Sequence, residues 1–279
     1  MVECFSDSND IKVVTFAVRI QSKNSLADCN HLIRLGTPGD GGYVICSESV
    51  KNCNKLLSFG ISDNWSFESG FLERNSLATI DCYDFSISFS VFLEKAAKSL
   101  VKFLIGRVPV KKLLINLVLP FKYYKFFRGN RKLFREKVTF PEFNAIDSNI
   151  EKIFGRIDSN HVYLKMDIEG SEYRVIPEIL SRSGRICGMT IEFHDIYFLR
   201  DKFTDCLNLI TEKFDIVHFH GNNFGFVSPD DGTPDVIEFS FVPKGSHKNI
   251  VNQLNTPIRD LDFPNNPFCS DYFFCLEEN

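Results

Sequence analysis

The sequence predicts an α/β protein with a mostly parallel sheet flanked by helices and a basic helical insertion. Three observations carry that expectation. Short apolar runs ending in glycine or an acid recur along the chain, and runs with helical spacing alternate with them. Between Lys95 and Lys137, thirteen lysines and arginines stand against one acid, Glu136. Alternation of strand and helix is the pattern of a parallel sheet closed by crossovers.

Residues 55–60 form a first strand ending at Gly60, and residues 77–84 a second ending at Asp84. Between them, Trp65, Phe67, Phe71 and Leu72 recur at helical spacing over 64–74, with Asp63 or Asn64 available as the N-cap. Residues 161–167 read as the next strand. The helix that follows, over 170–180, places Val175, Ile176, Ile179 and Leu180 on one face. A strand over 187–193, a helix over 203–214 and strands over 215–220 and 236–242 complete the alternation. The chain reads as one domain over 1–279, with an insertion at about 86–139 and a C-terminal extension at about 246–279 to which the pattern assigns no fold.

With 279 residues, 44% of them hydrophobic and 24% charged, the chain can bury a full core. No basic cluster followed by an apolar run opens the sequence, so a cytoplasmic location is expected. The nine cysteines are odd in number and lack any CxxC pair, a pattern of reduced thiols serving mostly in packing. The net charge of −4 hides an asymmetry. Nineteen bases and thirty-five acids remain outside residues 95–137 (32 − 13 and 36 − 1).

In open parallel sheets, ligands sit beyond the carboxyl ends of the strands, where helix N-termini and loop amides converge. The turn over 58–68 places Gly60 where backbone must approach a neighbour closely, but lacks GxGxxG, which weighs against a nicotinamide-dependent dehydrogenase. Asp84, ahead of Asp81, is placed to accept both ribose hydroxyls of an adenosine cofactor. A tight turn with a solvated acid is the plain alternative.

Residues 164–170 alternate Lys165, Asp167 and Glu169 on one face at a strand mouth, where unpaired charge is costly. An internal Lys165–Asp167 pair with Glu169 capping the next helix is the structural alternative. Glu192 and His194 repeat the spacing one strand later. His194 is the general-base candidate, because imidazole titrates near neutral pH and a carboxylate can orient it. His218 and His220 alternate at a third strand end. Asp167, Glu192, His194 and His220 form a candidate set for a divalent ion such as Mg²⁺ or Mn²⁺.

On these residues the chain resembles the FkbM-type methyltransferases. The resemblance rests on 164–172, LeuLysMetAspIleGluGlySerGlu, with support from 34–44, 57–68 and 192–194. It implies a Rossmann-like class I methyltransferase fold, S-adenosylmethionine as donor, and O-methylation of a sugar in a glycan or of a small natural product. It further implies that Gly60, Ser62, Phe67 and Glu68 line the donor site, with Asp84 on the ribose and Asp40 and Tyr43 closing over it. Asp167 and Glu169 would then flank the transferring methyl group, and His194 would deprotonate a sugar hydroxyl.

The insertion mixes apolar residues with lysines and is too interrupted by charge to span a bilayer. One reading makes residues 95–137 a peripheral membrane or phosphate contact, the other a helical insertion that packs one side on the sheet. The acidic remainder argues against nucleic acid. The rival to an enzyme is a catalytically silent Rossmann-like module that binds a membrane or partner through this insertion.

Overall fold

The computed structural model describes residues 13–20, 25–247, 250–251 and 253–278. The chain begins with β1 (Val13–Ile20), β2 (Leu26–Ala27), β3 (Leu32–Leu35), β4 (Tyr43–Cys46), α1 (Ser47–Lys51), β5 (Lys55–Phe59), α2 (Ser66–Arg74) and β6 (Thr79–Tyr83). Next come α3 (Phe89–Leu104), α4 (Val110–Phe126), β7 (Arg131–Phe134), β8 (Lys137–Val138), β9 (Asp147–Ser148), α5 (Ile150–Phe154), β10 (Val162–Met166) and α6 (Glu172–Leu180). It continues through β11 (Ile186–Phe193), α7 (Arg200–Thr211), β12 (Phe214–Gly221), β13 (Ile237–Pro243), β14 (Ile250–Val251), β15 (Gln253–Thr256) and β16 (Phe273–Glu278).

The main sheet has nine strands in the order β14-β2-β12-β13-β11-β10-β5-β6-β7. From β7 to β11 all neighbours are parallel, whereas β13 runs antiparallel to both β11 and β12. The strand order reverses between β5 and β10: the chain winds outward from β5 through β6 to β7, then returns to start the other half at β10. That switch point is where open α/β sheets bind ligands. The mostly parallel Rossmann-like sheet expected from the sequence is therefore present.

Side-chain alternation along each strand builds two core layers. Leu57, Phe59, Val162, Leu164 and Met166 face the layer completed by Val175, Ile176, Ile179 and Leu180 of α6 together with Phe203 and Ile210 of α7. Leu56, Ile80, Cys82 and Tyr163 face the opposite layer with Phe67 and Phe71 of α2. The four α6 residues predicted to share a face are all buried.

The insertion is shorter than the sequence suggested. Residues 131–134 form β7, an edge strand of the main sheet, so only the α3–α4 hairpin is inserted between β6 and β7. The C-terminal extension does have a fold: β16 pairs in parallel with β1 and antiparallel with β15 in a separate three-stranded sheet. Free thiols account for Cys29, Cys46, Cys53, Cys82, Cys187, Cys206 and Cys275. Cys269 departs from expectation because it is disulfide-bonded, a pairing that tertiary proximity sets and sequence spacing does not reveal. Cys4 lies outside the described residues.

Gly60 ends β5 with φ of 71°, and a Cβ there would overlap the carbonyl oxygen of Asp167 at the end of β10. The close neighbour that demands glycine is thus the chain's own backbone. Gly60→Ala combines left-handed strain with overpacking, so an urea titration should show a loss of at least about 3 kcal/mol or failure to fold. A near-native midpoint would show that β5 and β10 can separate at this junction.

Candidate active site

Three turns at the carboxyl ends of adjacent strands hold residues in the left-handed region that L side chains rarely adopt: Ser62 after β5, Glu169 after β10 and Asp195 after β11, with φ of 48°, 55° and 55°. Such strain persists only where surrounding structure enforces it, and it clusters at functional sites. A cavity of about 370 Å³ opens at these ends. Gly60, Ser62, Asp84, Asp167 and Glu169 line it, with Phe85 among the apolar residues.

Asp84 follows β6 and braces the Gly60 turn. Its Oδ2 accepts from the amides of Ile61 at 3.1 Å and Ser62 at 2.9 Å, and its Oδ1 accepts from the amide and hydroxyl of Ser86 at 2.8 and 2.6 Å. A ribose diol reaching Asp84 would therefore take the place of Ser86 on Oδ1.

Beside the cavity, carboxylates and cations interlock. The Tyr43 hydroxyl lies 2.8 Å from Glu192 Oε2 and 3.2 Å from Asp167 Oδ2. Burial, then the charges of Asp167 and Glu192, raise the Tyr43 pKa well above its ordinary value, so it remains a neutral donor. Lys165 donates to the Gly60 carbonyl at 2.7 Å and lies 3.6 Å from Asp167 Oδ2. Burial opposes its charge, but Asp167, Glu68 and Glu192 outweigh that and raise its pKa. Glu192 accepts from Asn222 Nδ2 at 2.8 Å. Burial, then the charges of Asp167 and Glu238, push its carboxyl up to about 8.

His194 sits among these acids. Its Nδ1 is 3.1 Å from Glu172 Oε1, and its Nε2 lies 3.7 Å from Asp167, 3.7 Å from Glu169 and 3.8 Å from Glu192. Burial would lower its pKa, but the Glu172 hydrogen bond and the charges of Glu192, Glu172 and Asp167 prevail and raise it to about 10. At neutral pH the ring is an imidazolium, unable to accept a proton. The expectation of a ready base at His194 assumed one orienting carboxylate, whereas four surround it.

The remaining expected site residues divide. Glu169 projects into solvent with 85% of its side chain exposed and does not cap α6; Glu172 accepts from the Ile168 amide at 3.0 Å instead. Asp40 does not line the cavity; its backbone carbonyl accepts from Asn64 Nδ2 at 3.2 Å. Burial, then Glu238 and Asp167, raise its carboxyl pKa. Phe67 and Glu68 do not line the cavity. Phe67 packs on Tyr43, Phe71 and Tyr163, and Glu68 is buried against Ser58 Oγ at 2.5 Å, because both lie on the core side of α2.

His220 also lies apart. It is paired with Asp271 at 3.0 Å and stands 3.8 Å from Glu238. Burial lowers its pKa, yet Asp271 and Glu238 prevail and raise it to about 10. Asp167, Glu192 and His194 bring ligand atoms within 4.8 Å of one another. Their separations of 3.7–3.8 Å from His194 Nε2 match neither edge of a Mg²⁺ octahedron, where adjacent donors stand about 3 Å apart and opposite ones about 4 Å. The triad does not fit Mg²⁺ or Mn²⁺ as arranged. A second group, Cys29, Cys46 and His247, gathers donors within 4.8 Å across three chain segments whose spacing gave no signal.

Residues 127–226 match the family model described as Methyltransferase FkbM domain, a stretch that includes Asp167, Glu172, Glu192 and His194. Over those residues the chain is similar to FkbM methyltransferase domains, in keeping with the resemblance carried by 164–172. No curated protein matches the sequence. Among solved structures, it is similar to the fibrillarin pre-rRNA processing protein of Methanococcus jannaschii, at 11% identity over 83% of this chain and 89% of that one, with a TM-score of 0.36. It is also similar to the precorrin-6y C5,15-methyltransferase of Geobacter metallireducens, at 7% identity over 71% and 85%, with a TM-score of 0.35. Among the described residues, no helix is long and apolar enough to cross a membrane.

Removing the imidazolium leaves Glu172, fully buried, without its cation. His194→Ala should cost about 3 kcal/mol at pH 7. The histidine's folded pKa of about 10 lies above its unfolded value of 6.5, so its stabilisation is complete below pH 6.5 and is lost as pH rises through 10. Urea midpoints of wild type and variant should therefore converge between pH 7 and pH 10. A constant gap would mean that His194 is not held as a cation.

Proposed function

We propose that the protein is an S-adenosylmethionine-dependent O-methyltransferase acting on a hydroxyl of a carbohydrate or glycoconjugate. The observation that carries this reading is the coincidence, at one switch point, of the cavity lined by Gly60, Ser62, Asp84 and Asp167 with the charged cluster around His194. The lining suits the donor: carboxylates face the space that a sulfonium cation and a ribose diol would enter, and Phe85 offers an apolar surface. When bound, S-adenosylmethionine supplies an electrophilic methyl group.

The chain's own residues then do three things. The Gly60–Ser62 turn and Asp84 hold the nucleoside side. Asp167, with 27% of its side chain exposed at the cavity wall, is the carboxylate that takes the acceptor's proton. A weak base suffices, because a hydroxyl becomes strongly acidic as its oxygen gains the methyl group. His194, held cationic by Glu172, fixes Asp167 and Glu192 in place by charge. As methyl passes to the acceptor oxygen, the hydroxyl proton passes to Asp167. Alignment of acceptor and donor accounts for most of the acceleration. This reading moves the base from His194 to Asp167, on the ground that the histidine is already protonated.

Calorimetric titration with S-adenosylhomocysteine, with a dinucleotide control, tests the donor. Saturable binding of the former alone is expected; binding of neither would leave the catalytically silent module as the reading. Asp167→Asn should keep S-adenosylhomocysteine binding within a few-fold while lowering kcat on a hydroxyl acceptor by about 10²-fold or more. Unchanged kcat would remove Asp167 as the base. A screen of polyhydroxylated glycans against amine acceptors and RNA, read by S-adenosylhomocysteine release, tests the acceptor class.

A further inference from the structure

We infer that the α3–α4 hairpin is a docking surface for an anionic lipid bilayer. The two helices pack on each other and on the domain through one side only. Phe92, Leu113, Leu119 and Phe126 are buried there, and Asn116 donates to Ser99 at 3.1 Å between the helices. The other side stays apolar and exposed. Phe89, Leu93, Leu100 and Leu104 lie within about 60° of one another around α3, at 100° per residue. Val110, Leu114, Leu117 and Phe121 form a like stripe along α4. Exposure reaches 74% at Leu104 and 66% at Phe121, with Ile105 also exposed at the turn that joins the helices. Contiguous apolar surface of this kind on a soluble domain marks an interaction site.

Charge identifies the occupant. Residues 89–128 hold nine lysines and arginines and one acid, Glu94. Among the described residues, ion pairs engage only Lys95, with Asp63, and Lys98, with Glu94. Lys111, Lys122 and Lys125 border the apolar stripe of α4, as on helices that lie in the plane of a bilayer surface with apolar residues inserted and lysines at the headgroups. The helices are 16 and 17 residues long and interrupted by lysines, so they would lie on the bilayer and not cross it. Outside residues 95–137 acids exceed bases by thirty-five to nineteen, so an anionic surface attracts the hairpin and repels the remainder, which fixes the orientation. A second copy would bring two strongly basic faces together, and nucleic acid would leave the apolar stripes uncovered.

The hairpin is tied to the candidate site. Trp65, at the end of the Gly60 loop, packs on Phe92 of α3 and stacks on Phe126 of α4, and Asp63 of the same loop pairs with Lys95. The docking surface is thus packed directly against the loop that lines the cavity, although lipid binding itself does not depend on the proposed reaction.

The test is co-sedimentation of the full chain with vesicles of phosphatidylcholine, with and without phosphatidylserine, over a range of salt. Binding at least about tenfold tighter to the phosphatidylserine vesicles, weakening as salt rises, is expected. Leu104→Asp with Phe121→Asp, and separately Lys111→Glu with Lys122→Glu, should each lower that binding about tenfold or more while leaving the urea midpoint unchanged, because all four side chains are exposed. Absence of binding, or binding that neither variant weakens, overturns the inference. A lipid-free dimer in sedimentation velocity that the aspartate variant dissociates assigns the face to a second copy and also overturns it. Binding to an RNA homopolymer that only the lysine variant loses, without vesicle binding, would do the same in favour of nucleic acid.

Discussion

The junction of β5 and β10 is the contact on which the rest of the site depends. Gly60 leaves β5 in a conformation and a space that only glycine fills, because the Asp167 carbonyl lies against it. The Asp167 amide donates to Phe59 at 2.9 Å, and Lys165 reaches across to the Gly60 carbonyl at 2.7 Å. These bonds lock two parallel strands at the point where the sheet's winding reverses. The Gly60 turn and the Asp167 carboxylate consequently reach the same cavity in fixed relation. A flexible pair of loops could not hold two reactants in line.

Around that junction the protein concentrates negative charge and balances it with buried cations. Asp167, Glu172, Glu192 and Glu238 lie on or beside β10, β11 and β13, and Lys165, His194 and His220 stand among them. Removing ionised groups from water is expensive unless each finds partners. The hydrogen bonds from Tyr43 and Asn222 to Glu192, and from Asn265 to Glu238, supply them. The cluster's charge state follows from this arrangement. Histidines that would titrate near neutrality become cations, and Glu192, buried beside Asp167 and Glu238, is pushed toward neutrality.

Much of the sheet was legible because local pattern dictates it. The apolar run at 55–59, the helical spacing of Phe67 and Phe71, and the face made by Val175, Ile176, Ile179 and Leu180 each settle an element without tertiary help. Strand direction was not legible: Ile237–Pro243 has the same alternation whether it runs parallel or, as here, antiparallel. The β15 and β16 strands were not legible because the sheet they form is completed by β1, which pairs with β16 from the other end of the chain. In the site, Asp84 and Asp167 fell where strand ends place them. Phe67 and Glu68 did not, because the helix rotates them into the core. Glu172 lies within the 164–172 motif, and the signal of its role is an acid in the first turn of a helix that can reach back to an amide four residues earlier.

The insertion shows why composition alone left two readings open. Its apolar residues are numerous enough to cover two faces of each helix, and the packed and exposed stripes use the same residue types. Sequence periodicity reports the combined apolar arc and cannot say how much of it the domain covers. On α4 the buried side runs through Leu113, Asn116, Leu119 and Pro120, and the exposed side through Val110, Leu114, Leu117 and Phe121. A helix that needed only to pack would place lysines on that second side. Leucine and phenylalanine stand there instead, with Lys111, Lys122 and Lys125 along one border, and such a face costs solubility in water unless a surface covers it.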